Sequence, residues 1–158
     1  MSIYDLGDAL RDDIASFVAA NPCAPERIVF TAAEPPSPLS CAAIYVWGPD
    51  ITDRNQFIPD DRRTLGRVTY NWRLHHCFTE GARDLTPTEE QTLAECFYSL
   101  TDDIWCGLVA ARDDDTLMGF GHCDEIEIGP VVTDRGGAEV TATGSVVVPL
   151  YCTPASSS

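Results

Sequence analysis

Residues 68–78 have the sequence VTYNWRLHHCF, in which apolar and polar side chains alternate. In an extended chain one face carries Val68, Tyr70, Trp72, Leu74 and Phe78, and the other carries Thr69, Asn71, Arg73 and His75. This pattern predicts a long β-strand that buries one face. At roughly 3.3 Å per residue such a strand spans more than about 30 Å, so we expect one end to project toward a neighbouring molecule.

A helix with a strong N-terminal signal follows this strand. Thr86, Pro87 and Glu89 occupy the N-cap, first and third positions, which is typical of a capping box with proline at the helix start. Apolar residues then recur at helical spacing, namely Leu93, Cys96, Phe97, Leu100, Ile104, Leu108 and Ala111. The helix is therefore expected to reach about Ala111. Trp72 and Trp105 are predicted core residues where it crosses the long strand.

The remaining segments predict one more helix and four further strands. The helix begins at Ser2 as N-cap and is ended by Asn21-Pro22. The strands are predicted at residues 27–31, 41–47, 123–131 and 138–151, the last two joined around Arg135-Gly136-Gly137. Residues 48–65 are predicted to form a long polar loop.

This order of elements predicts an α+β fold, a mainly antiparallel sheet of about five strands with two helices packed on one face. The chain has 158 residues, 44% of them hydrophobic, which suffices for a single domain over residues 1–153 with a short polar tail at 154–158. The other sheet face is expected to meet solvent, a channel or a partner; it carries Thr69, Asn71, Arg73, Thr141, Thr143 and Ser145.

The charge of the chain argues against binding to nucleic acid or to anionic lipid. Twenty-five acidic and ten basic residues give a formal net charge of -15, which repels phosphate. An acidic wall could still line a channel through which DNA slides. No apolar run approaches the roughly 20 residues of a membrane span, and the N-terminus lacks a signal pattern. We therefore expect a protein of the cytosol, or of a particle assembled there.

The seven cysteines are predicted to be mainly buried thiols, because most lie in apolar or strand-like segments, as Cys41, Cys96, Cys106 and Cys152 do. A zinc site at His75-His76-Cys77 with His122-Cys123 is disfavoured, since neighbouring strand residues point to opposite faces. A thiol enzyme based on Cys77 or Cys123 lacks a supporting sequence context.

The acidic clusters predict solvated surface charge and no metal loop or acid–base pair; they are Asp12-Asp13, Asp60-Asp61, Asp102-Asp103 and residues 113–115. Gly119-Phe120-Gly121 lacks the third glycine of a dinucleotide loop and predicts a bend. With no catalytic motif, we expect neither an enzyme nor a cofactor.

The loop at 48–65 supplies the candidate interface. It places the apolar pair Phe57 and Ile58 among alternating acids and arginines, an arrangement that favours docking on a partner. The candidate interface residues are Arg54, Phe57, Ile58, Asp60, Asp61, Arg62 and Arg63.

The order and local character of these segments resemble the tail terminator proteins of long-tailed bacteriophages, especially those that infect actinobacteria. The resemblance covers most of the chain and rests on patterns that are not chemical motifs. They are the amphipathic helix at 2–20, the strand at 68–78 ending in HHCF, DLTPTEE at 84–90, Ile104-Trp105-Cys106, CDEIEIGP at 123–130, and a final strand led by two glycines.

The resemblance implies a structural virion protein that is assembled in the host cytoplasm. It implies a homohexameric ring at the head-proximal end of the tail, which caps the tail tube protein, ends its polymerisation and offers a surface to the head–tail connector or stopper protein. DNA would pass through the lumen without specific binding. Another neck protein, such as a head completion or adaptor protein, fits the same patterns. A small cytosolic metal-binding or thiol protein is the alternative from a different class.

Overall fold

A computed structural model describes residues 3–36, 42–52, 63–77, 86–120, 123, 125–136 and 139–152. Two helices, α1 and α2, and six strands, β1 to β6, lie within these ranges. In chain order they are α1 Ile3–Val18, β1 Arg27–Thr31, β2 Ala43–Thr52, β3 Arg63–Cys77, α2 Pro87–Asp113, a 3₁₀ turn Leu117–Gly119, β4 Glu127–Ile128, β5 Val132–Gly136 and β6 Glu139–Cys152.

The strands form one sheet in the order β1-β2-β3-β6-β4, and β5 also pairs with β6. β1 runs parallel to β2, and every other pairing in the described sheet is antiparallel. The predicted α+β class with a mainly antiparallel sheet is thus confirmed. The sixth strand arises because the strand expected at 123–131 is reduced to β4, while residues 132–136 form β5 and pair directly with the start of β6.

Val68, Tyr70, Trp72 and Leu74 of β3 are all buried, as the alternation predicts, but His75 on the opposite face is buried too, so burial is not confined to one face. The β6 partners of the four apolar residues are equally apolar or small, and Trp72 lies opposite Gly144. A Cβ atom on Gly144 would come within 2.6 Å of the indole ring, so glycine leaves the space that the ring fills. The strand begins at Arg63, earlier than expected, because its pairing with β6 extends beyond the alternating segment.

Both helices contribute to the same hydrophobic cluster as the strands. Leu10 and Ile14 of α1 and Leu100 and Ile104 of α2 are fully buried in it, together with core residues of β2, β3 and β6. The capping box is confirmed: the Glu89 N–H donates to Thr86 Oγ1 at 3.3 Å, and α2 ends at Asp113. Packing of both helices on one sheet face stays a prediction. No helix in the described ranges is long and apolar enough to span a membrane.

Trp105 corrects one expectation about the core. Trp72 is 1% exposed, as predicted, whereas Trp105 is 36% exposed. Tyr98, which is 57% exposed, is another aromatic residue on the outer side of α2. The buried positions of α2 include Leu100, Ile104 and Leu108. Trp105 follows Ile104 by about 100° around the helix axis and therefore falls outside the buried stripe.

The cysteines also differ from expectation. Cys23 and Cys96 form a disulfide, and Cys77 is disulfide-bonded as well. Cys123 is a buried thiol, as predicted, but the thiol of Cys106 is exposed. Cys41 and the side chain of Cys152 lie outside the described residues. The sequence pattern misses the Cys23–Cys96 bond because it cannot show that the segment after α1 packs against α2.

We expect removal of this disulfide to lower the free energy of unfolding. Cys23 and Cys96 are separated by 73 positions, so the bond closes a long loop and restricts the unfolded chain. The double variant Cys23→Ser/Cys96→Ser should lose about 2–5 kcal/mol in urea unfolding followed by circular dichroism. Cys106→Ser, at an exposed thiol, is the control and should change stability by less than about 0.5 kcal/mol. Equal stability of the double variant and the control would contradict the expected contribution.

Asp13 is an exception among the acids that were predicted to be solvated. Its Oδ2 accepts a hydrogen bond of 2.6 Å from the backbone N–H of Met118, which joins α1 to the 3₁₀ turn. Met118 has a φ of 56°, a conformation that is costly for a side chain of this size. Asp115 also has a structural role, because it accepts a bond of 2.8 Å from the N–H of Cys123.

The environment of Asp13 predicts a pH dependence of stability. Burial raises its pKa above the ordinary 3.8, and the neighbouring Asp12 adds to this, while the Met118 N–H acts in the opposite direction. The folded state thus favours the neutral carboxyl, so this contribution to stability is present at low pH and is lost as pH rises through the folded pKa. Asp13→Asn keeps an oxygen for Met118 and removes the charge.

We therefore expect the stability of Asp13→Asn, relative to wild type, to increase as pH is raised from below 3.8 toward neutrality. Urea unfolding at several pH values measures this difference. Asp8→Asn on the exposed side of α1 serves as the matched control. A relative stability of Asp13→Asn that falls with rising pH would show that the hydrogen bond from Met118 outweighs the burial of the charge.

Candidate functional site

One end of the sheet projects as a two-stranded ribbon. The last pair between β2 and β3 is Thr52 with Arg67, whereas β3 and β6 remain paired as far as Arg63 with Cys152. Among the described strands, only β3 and β6 continue past this point. Residues 63–66 therefore extend roughly 13 Å beyond the end of β2. The projection of this end toward a neighbouring molecule stays a prediction.

A bulge in β2 precedes the ribbon. Trp47 pairs with Asn71 and Asp50 pairs with Thr69, so β2 carries one extra residue at Gly48-Pro49. Gly48 has a φ of +133°, and a Cβ there would lie 2.9 Å from the Thr69 carbonyl oxygen. The parallel pairing with β1 ends at Trp47. Pro49 has no N–H to donate, and it lies beyond the last residue of β2 that pairs with β1, where no such donor is needed.

This bulge corrects the predicted loop at 48–65. The segment does not leave the sheet at Gly48, because β2 continues to Thr52 and β3 starts at Arg63. A second irregularity lies within the ribbon, where Thr64 pairs with Tyr151 and Gly66 pairs with Leu150. Bulges bend a strand and increase its twist, so these two features set the direction in which the ribbon leaves the domain.

One of the candidate interface residues lies in this ribbon. Arg63 is the first residue of β3, and its backbone pairs with Cys152. The other six candidates lie outside the described residues; they are Arg54, Phe57, Ile58, Asp60, Asp61 and Arg62. They belong to residues 53–62, which separate the end of β2 at Thr52 from the start of β3 at Arg63 in the sequence. Their contacts with a partner stay a prediction.

The polar face of the sheet is organised around Arg73. Its guanidinium donates to Glu34 Oε1 at 2.8 Å and to Thr143 Oγ1 at 3.3 Å, and it lies 4.9 Å from the ring centroid of Trp47. Asn71 donates to Asp50 at 3.2 Å on the same face. The polar residues predicted for this face on β3 and β6 are half-buried. This part of the face therefore carries two separate groups of side-chain contacts, one around Arg73 and one between Asn71 and Asp50.

Sequence reasoning missed a small apolar cluster beside Arg73. Ala43, Tyr45 and Trp47 of β2 are buried together, with Val29 packed against them. The intervening residues of β2, Ile44 and Val46, are buried in the main core. The uninterrupted apolar run from Ala42 to Trp47 is the signal that could have revealed it, because such runs are typical of strands buried on both faces.

Alternation along β3 places the neighbouring residues His75 and His76 on opposite faces of the strand. His76 lies on the Leu74 side of β3, is 7% exposed, and its Nε2 has no hydrogen-bond partner within the described part of the chain. Burial lowers the pKa of His76, and the nearby His75 lowers it further. Cys123 Sγ contacts the carbonyl oxygens of Leu117 and Phe120, and His122 lies outside the described residues. His75 and Cys77 lie on the opposite face of β3 from His76, so the three neighbours on this strand do not share one face.

A groove of about 560 Å³ separates the end of α1 from the middle of α2. Asn21 crosses it, and its amide donates to Ser99 Oγ and to Asp103 Oδ2, each at 2.8 Å. The Cys23–Cys96 disulfide forms part of the wall. These contacts hold the segment after α1 against α2, so we assign the groove a structural role.

No protein-family model matches this chain, and no curated protein matches it either.

We expect Gly48→Ala to weaken the base of the ribbon. The substitution places a Cβ against the Thr69 carbonyl in a conformation that favours glycine, which should cost about 1–3 kcal/mol of unfolding free energy. Backbone amides at 50–52 should also exchange with solvent faster. Urea unfolding and hydrogen exchange measure the two effects. Unchanged stability together with unchanged exchange would show that β2 does not need glycine at the bulge.

Proposed function

We propose that this chain is a tail terminator of a long-tailed bacteriophage, a structural protein that assembles as a hexameric ring on the end of the tail tube. In this role it ends tube polymerisation and offers a docking surface to the head–tail connector. The observation that carries the proposal is the projecting ribbon of β3 and β6, because a closed ring requires an element that reaches a neighbouring subunit.

Ring assembly imposes a geometric requirement on each subunit. Two different surfaces must be complementary, since every subunit contacts one neighbour on each side. In the ribbon, residues 63–66 have β6 on one side and no described strand on the other. Such an edge can accept a strand or an extended segment from another subunit. The ribbon supplies one surface of the proposed contact.

In this proposal residues 53–62, which precede the ribbon in the sequence, supply the side chains of that contact. They combine the apolar pair Phe57 and Ile58 with acids and arginines. Exposed ion pairs contribute only about 0–1 kcal/mol each, so they would set the register between subunits more than the affinity. The apolar pair is expected to provide most of the affinity, because burial yields about 25 cal/mol per Å² of apolar surface.

The net charge of -15 is consistent with a DNA-conducting lumen. Acidic walls repel phosphate and would let the genome pass without being held. The same charge also opposes the association of identical subunits, which makes an apolar contact at the interface more necessary. Another neck protein, such as a head completion or adaptor protein, would have the same needs. The partner that the chain binds distinguishes a tail terminator from another neck protein.

The test is the mass of the purified chain by light scattering, alone and mixed with tail tube protein. A hexamer has six times the 17.2 kDa of the chain. We expect this species in solution or on tube ends, and we expect its presence to stop tube growth in electron micrographs. A chain that stays monomeric and leaves tube length unchanged would overturn the proposal.

A pair of variants tests the surface that we assign to the contact. Phe57→Ser/Ile58→Ser removes the apolar pair and should reduce assembly by about tenfold or more, the usual consequence of losing a central apolar contact. Tyr98→Ser removes an aromatic side chain that is 57% exposed on α2 and serves as the matched control. Loss of assembly in the control alone would place the contact on α2. Far-ultraviolet circular dichroism confirms that both variants fold.

A further inference from the structure

We propose that His75, Cys77 and Glu139 form a binding site for a divalent metal of the zinc class, and that this site becomes available when the disulfide at Cys77 is reduced. His75 and Cys77 are two positions apart on β3 and share one side of the sheet. Glu139 is the residue of β6 directly opposite Cys77. The β3–β6 register thus brings together residues that are distant in sequence.

The distances fit a metal site with little rearrangement. One ligand atom from each residue lies within 4.8 Å of the other two, and His75 Nε2 is 3.5 Å from Glu139 Oε2. Ligand atoms around tetrahedral zinc are separated by about 3.4–3.8 Å, as follows from bonds of roughly 2.0–2.3 Å. Side-chain rotation of Glu139 or Cys77 could close the remaining gap. Nitrogen, sulfur and carboxylate oxygen are all established zinc ligands.

Burial divides the site into a fixed part and an accessible part. The side chain of His75 is fully buried, which holds its imidazole in place. The side chain of Glu139 is 57% exposed, and Cys77 is half-buried. A metal could therefore enter from the Glu139 side and meet a preoriented nitrogen.

The disulfide controls whether the sulfur can act as a ligand. Cys77 is disulfide-bonded, and a metal requires a thiolate. A dithiol reductant would transfer two electrons and two protons to the bond, giving two protein thiols and one oxidised dithiol. The Cys77 thiol would lose its proton on binding the metal. A water molecule can fill the fourth position, as it does in zinc sites with three protein ligands.

A simple ion pair between His75 and Glu139 is the competing explanation. It accounts for the contact of these two residues, but it requires no cysteine beside them. A metal site with Cys77 as a ligand instead requires reduction before metal uptake. This site does not require assembly into a ring.

The experiment titrates Co²⁺, a spectroscopic substitute for Zn²⁺, into the full chain with and without prior reduction by a dithiol that is then removed anaerobically. We expect the reduced chain to bind one equivalent, with a thiolate-to-cobalt charge-transfer band and the d–d bands of tetrahedral cobalt. The oxidised chain should show neither. A reduced, folded chain without the band, or equal uptake by both forms, would overturn the proposal.

Variants assign the ligands. Cys77→Ser should abolish the charge-transfer band, and Glu139→Gln at an exposed position should weaken Co²⁺ binding by about tenfold or more. Cys106→Ser and Cys23→Ser/Cys96→Ser are the controls and should keep the band. A band that persists in Cys77→Ser would place the metal elsewhere, and unchanged affinity in Glu139→Gln would remove the carboxylate from the site. Circular dichroism establishes that each reduced variant is folded.

Discussion

The antiparallel pairing of β3 with β6 is the constraint on which the other features of this molecule depend. It runs from Arg63 with Cys152 to Cys77 with Glu139, the full length of both strands. In its middle the ring of Trp72 fills the space above Gly144 in the core. One end of the pairing forms the projecting ribbon, and the other end brings His75, Cys77 and Glu139 together.

Successive side chains of a strand point to opposite faces, so the register of β3 against β6 determines which residues of β3 enter the core and which lie on the polar face. A shift by one residue would exchange the buried face of β3 with the face that carries Arg73. The indole of Trp72 and the guanidinium of Arg73 would then both be displaced from their contacts. The cost of burying the arginine without its partners makes such a shift unfavourable. Core packing therefore fixes the β3–β6 register, and with it the positions of the residues at both ends of the sheet.

The surface charge affects association between chains, and the redox environment affects the disulfides. The acidic surface disfavours contact between identical chains, so assembly would depend on apolar and strand-edge contacts at a defined location. The disulfides have a different dependence on environment, because cytosolic thiols are kept mostly reduced and disulfides persist in oxidising surroundings. The Cys23–Cys96 bond and the bond at Cys77 therefore connect the stability of the fold and the chemistry of the sheet end to where the protein resides.

Local sequence patterns were sufficient to predict the α+β class, the alternating face of β3 and the capped start of α2. These features depend on residues that are only a few positions apart in the sequence. Local patterns were insufficient for the exposure of Trp105, the continuation of β2 through Gly48 and the bond between Cys23 and Cys96. Strand register and helix placement are set by contacts between residues far apart in sequence. For the same reason the proximity of Glu139 to His75 and Cys77 became visible only in the folded chain.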